Sequence, residues 1–145
     1  MVIDRPQSHL HATVLPLLSE ALLQINAGEE FIQCEVPMGR VVGKSICVAT
    51  RPGDDIVYAK RPKRWGHTRF AKNREPEDSS SVVIVLKKAE DNTYILITAF
   101  IGSLSEPEPW DRKATQKSRA FWDTHALVWG HEETLSGTET RRCPW

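Results

Sequence analysis

Hydrophobic and polar positions follow two different periods along this chain. Apolar residues recur every three to four positions over residues 11–26, as on one face of a helix, and Gly28 follows as a stop. A similar pattern covers residues 114–130, "ATQKSRAFWDTHALVWG", and ends at Gly130. The sequence therefore predicts one helix near the N-terminus and one near the C-terminus.

Strand-like runs fill the region between these two patterns. "EFIQCEVPM" at 30–38 alternates in period two, "RVVGKSICVAT" at 40–50 is β-branched and apolar, and "IVYA" at 56–59 is a shorter run. "SVVIVLKK" and "TYILITAFIG" are joined by the turn-forming "AEDN", which predicts a β-hairpin. The nearly continuous apolar character of this hairpin favours central strands that are covered on both faces.

These elements predict an α+β fold, in which an antiparallel sheet of four to five strands packs against an N-terminal helix and a further C-terminal helix follows. A length of 145 residues suits a single domain over residues 1–145. We expect residues 1–12 to be flexible and residues 131–145 to form a surface tail.

The overall charge of the chain does not indicate a class of ligand. The chain has 19 basic and 19 acidic residues, so an electrostatic function requires local segregation of charge. Three cysteines without a CxxC pair indicate no zinc site or redox motif. The N-terminus lacks the features of a signal peptide, and no apolar run approaches the ~20 residues of a membrane span. We expect a cytoplasmic protein without a membrane partner.

Local segregation of charge is strongest in "KRPKRWGHTRFAKNR", residues 60–74, which contains seven Lys and Arg residues and no acid. Single-stranded RNA is bound by cations that match successive phosphates and by aromatic faces that stack on bases. The alternative interpretation is a solvated charged strand edge. The candidate RNA-binding residues are Lys60, Arg61, Lys63, Arg64, Trp65, Lys72 and Arg74.

The same segment contains residue types that could cleave RNA. Cleavage requires a proton acceptor for the 2′-hydroxyl, a cation for the crowded phosphorane and a donor for the leaving oxygen. His67 is the candidate proton carrier and Arg69 the candidate phosphate clamp, and on a strand the two share a face. Thr98, which interrupts an apolar run, is the candidate hydroxyl. Tyr94 and Trp110 are further candidates for the rim of the cleft, and His125 for a second acid or base, each with core packing as the alternative.

Other kinds of site fit the sequence less well. "GRVVGKS" has three residues between its glycines, whereas a phosphate-binding loop needs four. The GxSxG pattern of serine hydrolases is absent from the sequence. His9, His11, His125 and His131 have no spacing that completes a metal-ligand set. The sequence therefore predicts neither a metal site nor a cofactor.

The order of these parts resembles a known group of nucleases. A helical N-terminal segment, "GHTRF" in a basic strand or loop, the hairpin "SVVIVLKK…TYILITAF" and then "PWD" are similar to the BECR group of endoribonuclease toxin domains, named for barnase, EndoU, colicin-type and RelE-type nucleases. The resemblance covers residues 15–111. It implies an antiparallel sheet packed on N-terminal helices, cleavage of tRNA or messenger RNA without a metal, and restraint by an inhibitor protein.

The resemblance also implies roles for single residues. The catalytic histidine of the group would fall on His67, its phosphate-binding residues on Arg69 and on Lys60 or Arg64, and its late-strand hydroxyl on Thr98. The chain departs from the group because it continues past the hairpin into a second helical pattern, and because it lacks an overall basic charge.

The leading hypothesis is a metal-independent RNA-cleaving domain of toxin type, which acts by 2′-hydroxyl transesterification and has RNA and an inhibitor or antitoxin protein as partners. Two alternatives stay open. The chain could be a non-catalytic module that binds RNA or another polyanion through residues 60–74. It could also be a protein-interaction module in which basic and acidic blocks pair between subunits.

Overall fold

Short strands make up most of the regular structure. The computed structural model describes residues 2–4, 13–90 and 93–145, and of residues 2–4 only the backbone. In this part of the chain the helices are α1, Leu18–Leu22, which follows a 3-10 turn at Leu15–Leu17, and α2, Gln116–Trp122. No helix among these residues is long and apolar enough to cross a membrane.

The strands are β1 (Val2–Asp4), β2 (Phe31–Pro37), β3 (Gly43–Ser45), β4 (Cys47–Ala49), β5 (Ile56–Lys60), β6 (His67–Ala71), β7 (Glu77–Ser79), β8 (Ser81–Lys88), β9 (Thr93–Ile101) and β10 (His125–Val128). They form two four-stranded sheets and one two-stranded sheet, and most pairings are antiparallel. The predicted combination of helices with a mostly antiparallel sheet arrangement is confirmed. The predicted single sheet of four to five strands is corrected to these three sheets.

The chain divides into two compact units, which we describe separately. The first unit comprises Met1–Ser45 and Asp78–Leu104, and the second comprises Ile46–Glu77 and Ser105–Trp145. The apolar run at 40–50, predicted as one strand, crosses this division. Its first part, β3, pairs with β7, and its second part, β4, joins the sheet of the second unit. Whether residues 1–145 are a single domain stays a prediction, because compactness does not show that a unit folds alone.

The first unit is built on a sheet with the strand order β1-β9-β8-β2. The antiparallel β8–β9 hairpin confirms the prediction made from two β-branched runs and a short turn-forming connection. The register of this hairpin shifts between Val85 and Leu86, because Val85 lies opposite Thr98 but Leu86 lies opposite Leu96. Ile97 is therefore one extra residue in β9, a β-bulge that reverses the alternation of faces along the strand.

The core of the first unit lies on one face of this sheet. Its buried side chains are Val14, Ala21, Ile32, Val36, Met38, Val82, Ile84, Leu86, Tyr94, Leu96 and Ala99. The members from β8 are every second residue, as one face of a strand provides. The alternate residues Val83 and Val85 are also buried, so the prediction of a strand covered on both faces is confirmed for β8. Tyr94, which the sequence suggested as a cleft residue, belongs to this core, and its hydroxyl donates a hydrogen bond of 2.8 Å to the carbonyl of Glu29.

The predicted N-terminal helix is shorter than its apolar pattern. After α1 the chain continues in turns, in which the N–H of Gln24 bonds to the carbonyl of Ala21 and that of Ile25 to the carbonyl of Leu22. These bonds reach back three residues, which is the spacing of a 3-10 helix rather than an α-helix. Pro16 lies in the first turn, where its missing N–H costs no helical bond. Leu22 and Ile25 still pack against the core, so the apolar period was satisfied without a long helix.

The second unit is built on a sheet with the strand order β4-β10-β6-β5. β5 and β6 form an antiparallel hairpin, and β10 lies between β4 and β6, antiparallel to the first and parallel to the second. On one face of this sheet a core of Val57, Ala59, Phe70, Trp122 and Leu127 is buried. The strand β10 brings the end of the chain into the centre of this sheet.

The predicted C-terminal helix over 114–130 is only half helical. Thr115 caps α2 by accepting a hydrogen bond from the N–H of Lys117, and the helix ends at Trp122. The next residues of the pattern form β10, in which Ala126, Leu127 and Val128 are at most 8% exposed. Side chains of consecutive strand residues point to opposite faces, so consecutive buried residues require apolar neighbours on both faces. A central strand has such neighbours on both faces, whereas an amphipathic surface helix is covered on one face only.

The segment 131–145, predicted as a surface tail, is bonded to the edge of the second sheet. Tyr58 and Thr140 exchange two backbone hydrogen bonds of 2.7 and 2.8 Å, and the N–H of Leu135 donates to the carbonyl of Lys60. The ring of Trp145 packs edge-on against Tyr58, with 5.2 Å between centroids. The tail is exposed over much of its length, but it covers the backbone groups of β5 that would otherwise face solvent.

Arg74, at the end of the basic run, is buried in the second unit. Its side chain is 6% exposed and forms ion pairs with Asp54 at 2.8 Å and with Glu77 at 3.1 Å. Nη1 also donates a hydrogen bond of 3.0 Å to the carbonyl of Ala49 in β4. Arg74 therefore connects β4 to the turn before β5 and to the segment after β6, and its charge is satisfied inside the protein.

We expect Arg74→Ala to lower the free energy of unfolding by about 3 kcal/mol, because it leaves the buried carboxylate of Asp54 without its cation. The matched control is Arg64→Ala, which removes an exposed arginine from the same basic run and should change stability by about 0.5 kcal/mol or less. Urea unfolding followed by circular dichroism measures both. Equal stabilities of the two variants would contradict a structural role for Arg74.

Asp54 gives this ion pair a pH dependence. Burial raises the pKa of the Asp54 carboxyl, but the backbone N–H of Arg51 and the Arg74 guanidinium together outweigh burial, so this pKa lies below its ordinary value of 3.8. Such a carboxyl contributes stability that is complete above the ordinary pKa and is lost as the pH falls through the folded-state pKa.

We therefore expect the stability difference between the wild type and Asp54→Asn to be largest at about pH 7 and to shrink towards about pH 2, because the wild-type carboxyl is then protonated. Urea unfolding of both proteins across this pH range is the measurement. A difference that stays constant over the range would show that the charge of Asp54 does not stabilise the fold.

Candidate nucleic-acid interface

The β5–β6 hairpin gathers four polar side chains on one of its faces. Lys60 lies directly opposite His67, and Tyr58 lies directly opposite Arg69. Because residues that face each other across a ladder share a side of the sheet, and side chains repeat every second residue, all four are on the same face. The predicted shared face of His67 and Arg69 is thus present, and it includes Lys60, which was predicted to bind RNA, and Tyr58, which was not predicted.

His67 keeps its ring nitrogens available. Its side chain is half-buried at the start of β6, and the imidazole has no hydrogen bond or ion pair with any described residue. Lys60 is likewise half-buried, and its ammonium has no ion pair within the described residues. A free imidazole and a free ammonium therefore lie about 4.5–5.5 Å apart at their Cβ atoms, as direct cross-strand neighbours do.

Arg69 is held more firmly than His67. Its Nη1 donates hydrogen bonds to the Thr50 hydroxyl at 3.2 Å and to the His125 carbonyl at 3.0 Å. Two bonds from one nitrogen fix the plane of a guanidinium, which presents five donors in total. Arg69 is therefore positioned by Thr50, which directly follows β4, and by β10, and a phosphate could reach only the donors that these bonds leave.

Tyr58 is enclosed beneath the C-terminal tail. It is 7% exposed and contacts the ring of Trp145. Burial raises the pKa of Tyr58, the Cys143 thiol beside its hydroxyl raises it further, and Arg69 opposes both effects. The net shift is upward, so Tyr58 remains a protonated phenol at neutral pH and can donate a hydrogen bond. Side chains alternate between the two faces of a strand, so in "IVYAK" Tyr58 and Lys60 share a face. This sequence signal could have identified Tyr58 as a neighbour of Lys60.

The loop that joins β5 to β6 exposes two cations and an indole. The N–H of Arg64 bonds to the carbonyl of Arg61, and Lys63 has a φ of 62°. Proline before a residue of positive φ is the pattern of a type II turn, in which glycine is usual at the position of Lys63. Lys63 and Arg64 are exposed, and Trp65 is 87% exposed. This loop therefore exposes an aromatic ring on which a base could stack and two cations that could contact phosphates.

The position of this loop is set by a close contact with Trp110. A Cβ on Gly66 would lie 2.5 Å from the Cβ and Cγ atoms of Trp110, so only glycine fits there without displacement. Trp110 is half-buried, and its indole N–H is buried without a hydrogen-bond partner among the described residues. The suggestion that Trp110 lies at the rim of a cleft is consistent with this place beside the loop.

The remaining cations of the basic run are paired inside the second unit. Arg61 is 12% exposed, forms an ion pair with Glu108 and donates a 3.0 Å hydrogen bond to the buried Thr68 hydroxyl, which itself donates to Glu108. A second carboxylate, Glu132, lies 3.9 Å from Arg61. Arg61 therefore has a structural role through these contacts, and its contact with RNA stays a prediction from the sequence.

Lys72 and Arg74 are also committed to contacts within the protein. Lys72 forms an ion pair of 2.6 Å with Glu139, and its ammonium lies 4.8 Å from the centroid of the Trp129 ring. Arg74 has the buried contacts described above, so its cation is paired inside the protein, and its RNA contact, like that of Arg61, stays a prediction. Of the predicted RNA-binding residues, the exposed Lys63, Arg64 and Trp65 and the half-buried Lys60 have no ion pair with any described residue.

Thr98 belongs to the first unit. It is half-buried on β9 opposite Val85, on the face of the sheet that points away from the core formed by Ile84 and Leu96. His67 and Arg69 belong to the second unit, so neither unit alone contains the three predicted catalytic residues. The role of Thr98 in cleavage stays a prediction from the sequence.

His125 begins β10 instead of lying on a helix. Its ring stacks on Phe121 with 3.9 Å between centroids and 5° between planes, and Nδ1 lies 3.0 Å from the Phe121 carbonyl and from the Thr124 hydroxyl. The packing interpretation of this histidine is therefore supported by its contacts. Its carbonyl is the group that holds Arg69, a role that could not be read from the sequence.

Within the described residues, no group of three or more His, Cys, Asp or Glu side chains is arranged to hold a metal ion. His9 and His11, which the sequence raised as ligand candidates, lie outside those residues. Comparison of the chain with protein-family models, curated proteins and solved structures found no match. The resemblance to BECR-type nucleases therefore stays an expectation from the order of the sequence parts.

We expect Gly66→Ala to lower the free energy of unfolding by about 1–3 kcal/mol, because the added methyl must displace Trp110. The control is Lys63→Gly in the same loop, which relieves an unfavourable φ while adding freedom to the unfolded chain, so its net effect should stay within about 1 kcal/mol. Urea unfolding compares the two variants. If Gly66→Ala is as stable as the wild type, the close contact with Trp110 is not a constraint.

Proposed function

We propose that this chain binds single-stranded RNA through the exposed residues of the β5–β6 hairpin and cleaves it without a metal, as an endoribonuclease of toxin type. The observation that carries the proposal is the free imidazole of His67 directly opposite the unpaired ammonium of Lys60, next to a loop that exposes Lys63, Arg64 and Trp65. The proposal includes the more specific fold prediction, in which a nuclease-type sheet packs on N-terminal helices.

The loop would supply most of the binding energy. Lys63 and Arg64 are adjacent in the chain, exposed, and free of ion pairs with described residues, so they can neutralise successive phosphates. An indole that is 87% exposed is unusual on a protein surface and offers a face to one base, which is worth about 1–3 kcal/mol in single-stranded binding. Stacking of this kind tolerates every base, so we expect weak sequence preference.

The chemical step would begin at His67. Its neutral imidazole takes the proton of a ribose 2′-hydroxyl, whose oxygen forms a bond to the adjacent phosphorus while the bond from phosphorus to the 5′-oxygen breaks. Lys60 and the unoccupied donors of Arg69 stabilise the extra negative charge on the phosphorane. The 5′-oxygen takes up a proton as it leaves, and the products are a 2′,3′-cyclic phosphate and a 5′-hydroxyl. Thr98 is the sequence-based candidate for the donor to that oxygen.

A second candidate function is RNA binding without cleavage. It is favoured by the fact that Nη1 of Arg69 already bonds to Thr50 and His125, and that His67 is the one imidazole on this hairpin face. The protein-interaction alternative is less well supported. Two acids from the segments "EPEDSS" and "SEPEPWD", which it would place against another subunit, pair instead with basic residues of the same chain: Glu77 with Arg74 and Glu108 with Arg61.

Cleavage is tested with the full chain and a fluorescently labelled single-stranded RNA in EDTA. We expect a cyclic-phosphate product, and we expect His67→Gln to slow its formation by about 10²–10⁴-fold, as the loss of a general base does. The matched control is His131→Gln, an exposed histidine with no role in the proposal, which should keep the wild-type rate. RNA that stays intact with the wild-type protein removes the enzymatic proposal and leaves binding to be tested.

Binding is tested separately by fluorescence anisotropy at several salt concentrations. We expect Trp65→Ala to weaken binding by about 1–3 kcal/mol with little change in salt dependence, and Lys63→Gly with Arg64→Gln to reduce the salt slope by about one unit per lost phosphate contact. Lys113→Gln, an exposed cation outside the hairpin, serves as the control. Identical affinities of all variants would place the RNA elsewhere, and no binding at all would end both RNA proposals.

A further inference from the structure

β2 is the last strand of the first sheet, and its outer edge carries unpaired backbone groups. The N–H of Lys88 bonds to the carbonyl of Glu30, and the N–H of Met38 bonds to the carbonyl of Ser80. Hydrogen-bonded pairs alternate along an antiparallel ladder, so the even-numbered residues of β2 bond to β8. The N–H and C=O groups of Phe31, Gln33 and Glu35 therefore point away from the sheet.

These outward groups have no backbone partner among the described residues. The next possible pairing position is Pro37, whose carbonyl also points outward but which has no N–H to donate. The free edge thus offers three complete donor–acceptor positions and one further acceptor. An edge of this length matches a short extended segment, the kind of ligand that adds a strand to a sheet.

A groove runs along this edge and has a negative character. It has a volume of about 320 Å³ and is lined by residues 32–37 of β2 together with Gln24, Ile25, Asn26 and Glu29. Two of these side chains, Glu29 and Glu35, are acidic, and no lining residue is basic. One oxygen of Glu35 accepts a 2.9 Å hydrogen bond from the N–H of Leu104, but no described cation neutralises either carboxylate.

We propose that the outer edge of β2 is a docking site for an extended, basic segment of a partner protein, which adds an antiparallel or parallel strand to the first sheet. The backbone groups of Phe31, Gln33 and Glu35 bind the main chain of that segment, and Glu29 and Glu35 select lysine or arginine side chains. This inference is independent of the proposed RNA function, because it concerns a different sheet and different residues.

A second copy of this chain is a poorer fit to the same edge. Pairing of β2 with another β2 would bring together two strands of the sequence "FIQCEVP", each of which contains one acid and no base. Such a pair offers no positive charge to the carboxylates of the groove, and a like-charged edge opposes pairing. The complementary occupant must supply the cations from another sequence.

The test uses the full chain and a fluorescent heptapeptide that alternates lysine with valine. We expect saturable binding of this peptide and no binding of its glutamate–valine counterpart. Gln33→Pro removes an outward N–H without touching the bonds to β8, so it should weaken binding by about tenfold or more. Gln33→Ala keeps the N–H and should change the affinity by less than about twofold.

A peptide-side measurement covers the case in which Gln33→Pro does not fold. Methylating the amides of alternate residues in the lysine–valine peptide should abolish binding for one set of positions and preserve it for the other, because only every second amide faces β2. Equal binding of both methylated peptides, equal binding of the glutamate peptide, or full binding by a folded Gln33→Pro variant would overturn the proposal. A dimer of the chain that Gln33→Pro disrupts would assign the edge to a second copy and would also overturn it.

Discussion

The cost of burying a guanidinium determines how the second unit is assembled. Arg61 and Arg74 lie on either side of β6, and each can be withdrawn from water only because carboxylates and other acceptors meet its N–H groups. The carboxylates come from Glu108 for the first arginine and from Asp54 and Glu77 for the second. These contacts fix both ends of β6, so the positions of His67 and Arg69 depend on them.

The same contacts divide the basic run into two functional classes. Cations that meet an acid from another segment of the chain hold the fold, whereas those at the tip of the β5–β6 loop remain available to a ligand. An overall net charge of zero is consistent with this division. A polyanion would therefore meet a small, defined group of charges and not the whole basic segment, and this limits the number of phosphates that it could contact at once.

The sequence predicted the parts of this fold that depend on local pattern. The β8–β9 hairpin was recognisable because two β-branched runs flank a turn, and β2 was recognisable from its alternation and its terminal proline. The residues of β10 were assigned to a helix because three apolar positions in a row fit either period, and burial on both faces is a tertiary property.

The candidate site was predictable only in part. Alternation along a strand was enough to place His67 and Arg69 on one face, but the pairing of Arg61 with Glu108 spans 47 positions in the sequence and has no local signal. The role of the His125 carbonyl in holding Arg69 follows from the place of β10 in the sheet, which the sequence did not predict. The division into two units, with Thr98 in the first and His67 in the second, also depends on contacts between distant segments.

The bulge at Ile97 has a consequence for the evolution of β9. Strict alternation from Tyr94 and Leu96 would direct the Thr98 hydroxyl into the apolar interior, where it would need an internal acceptor. One additional residue instead turns this hydroxyl outward and returns Ala99 to the interior. A single-codon deletion of Ile97 would therefore remove the bulge and leave every later side chain of the strand on its present face, so this position tolerates a change of length that the regularly paired positions of β9 do not.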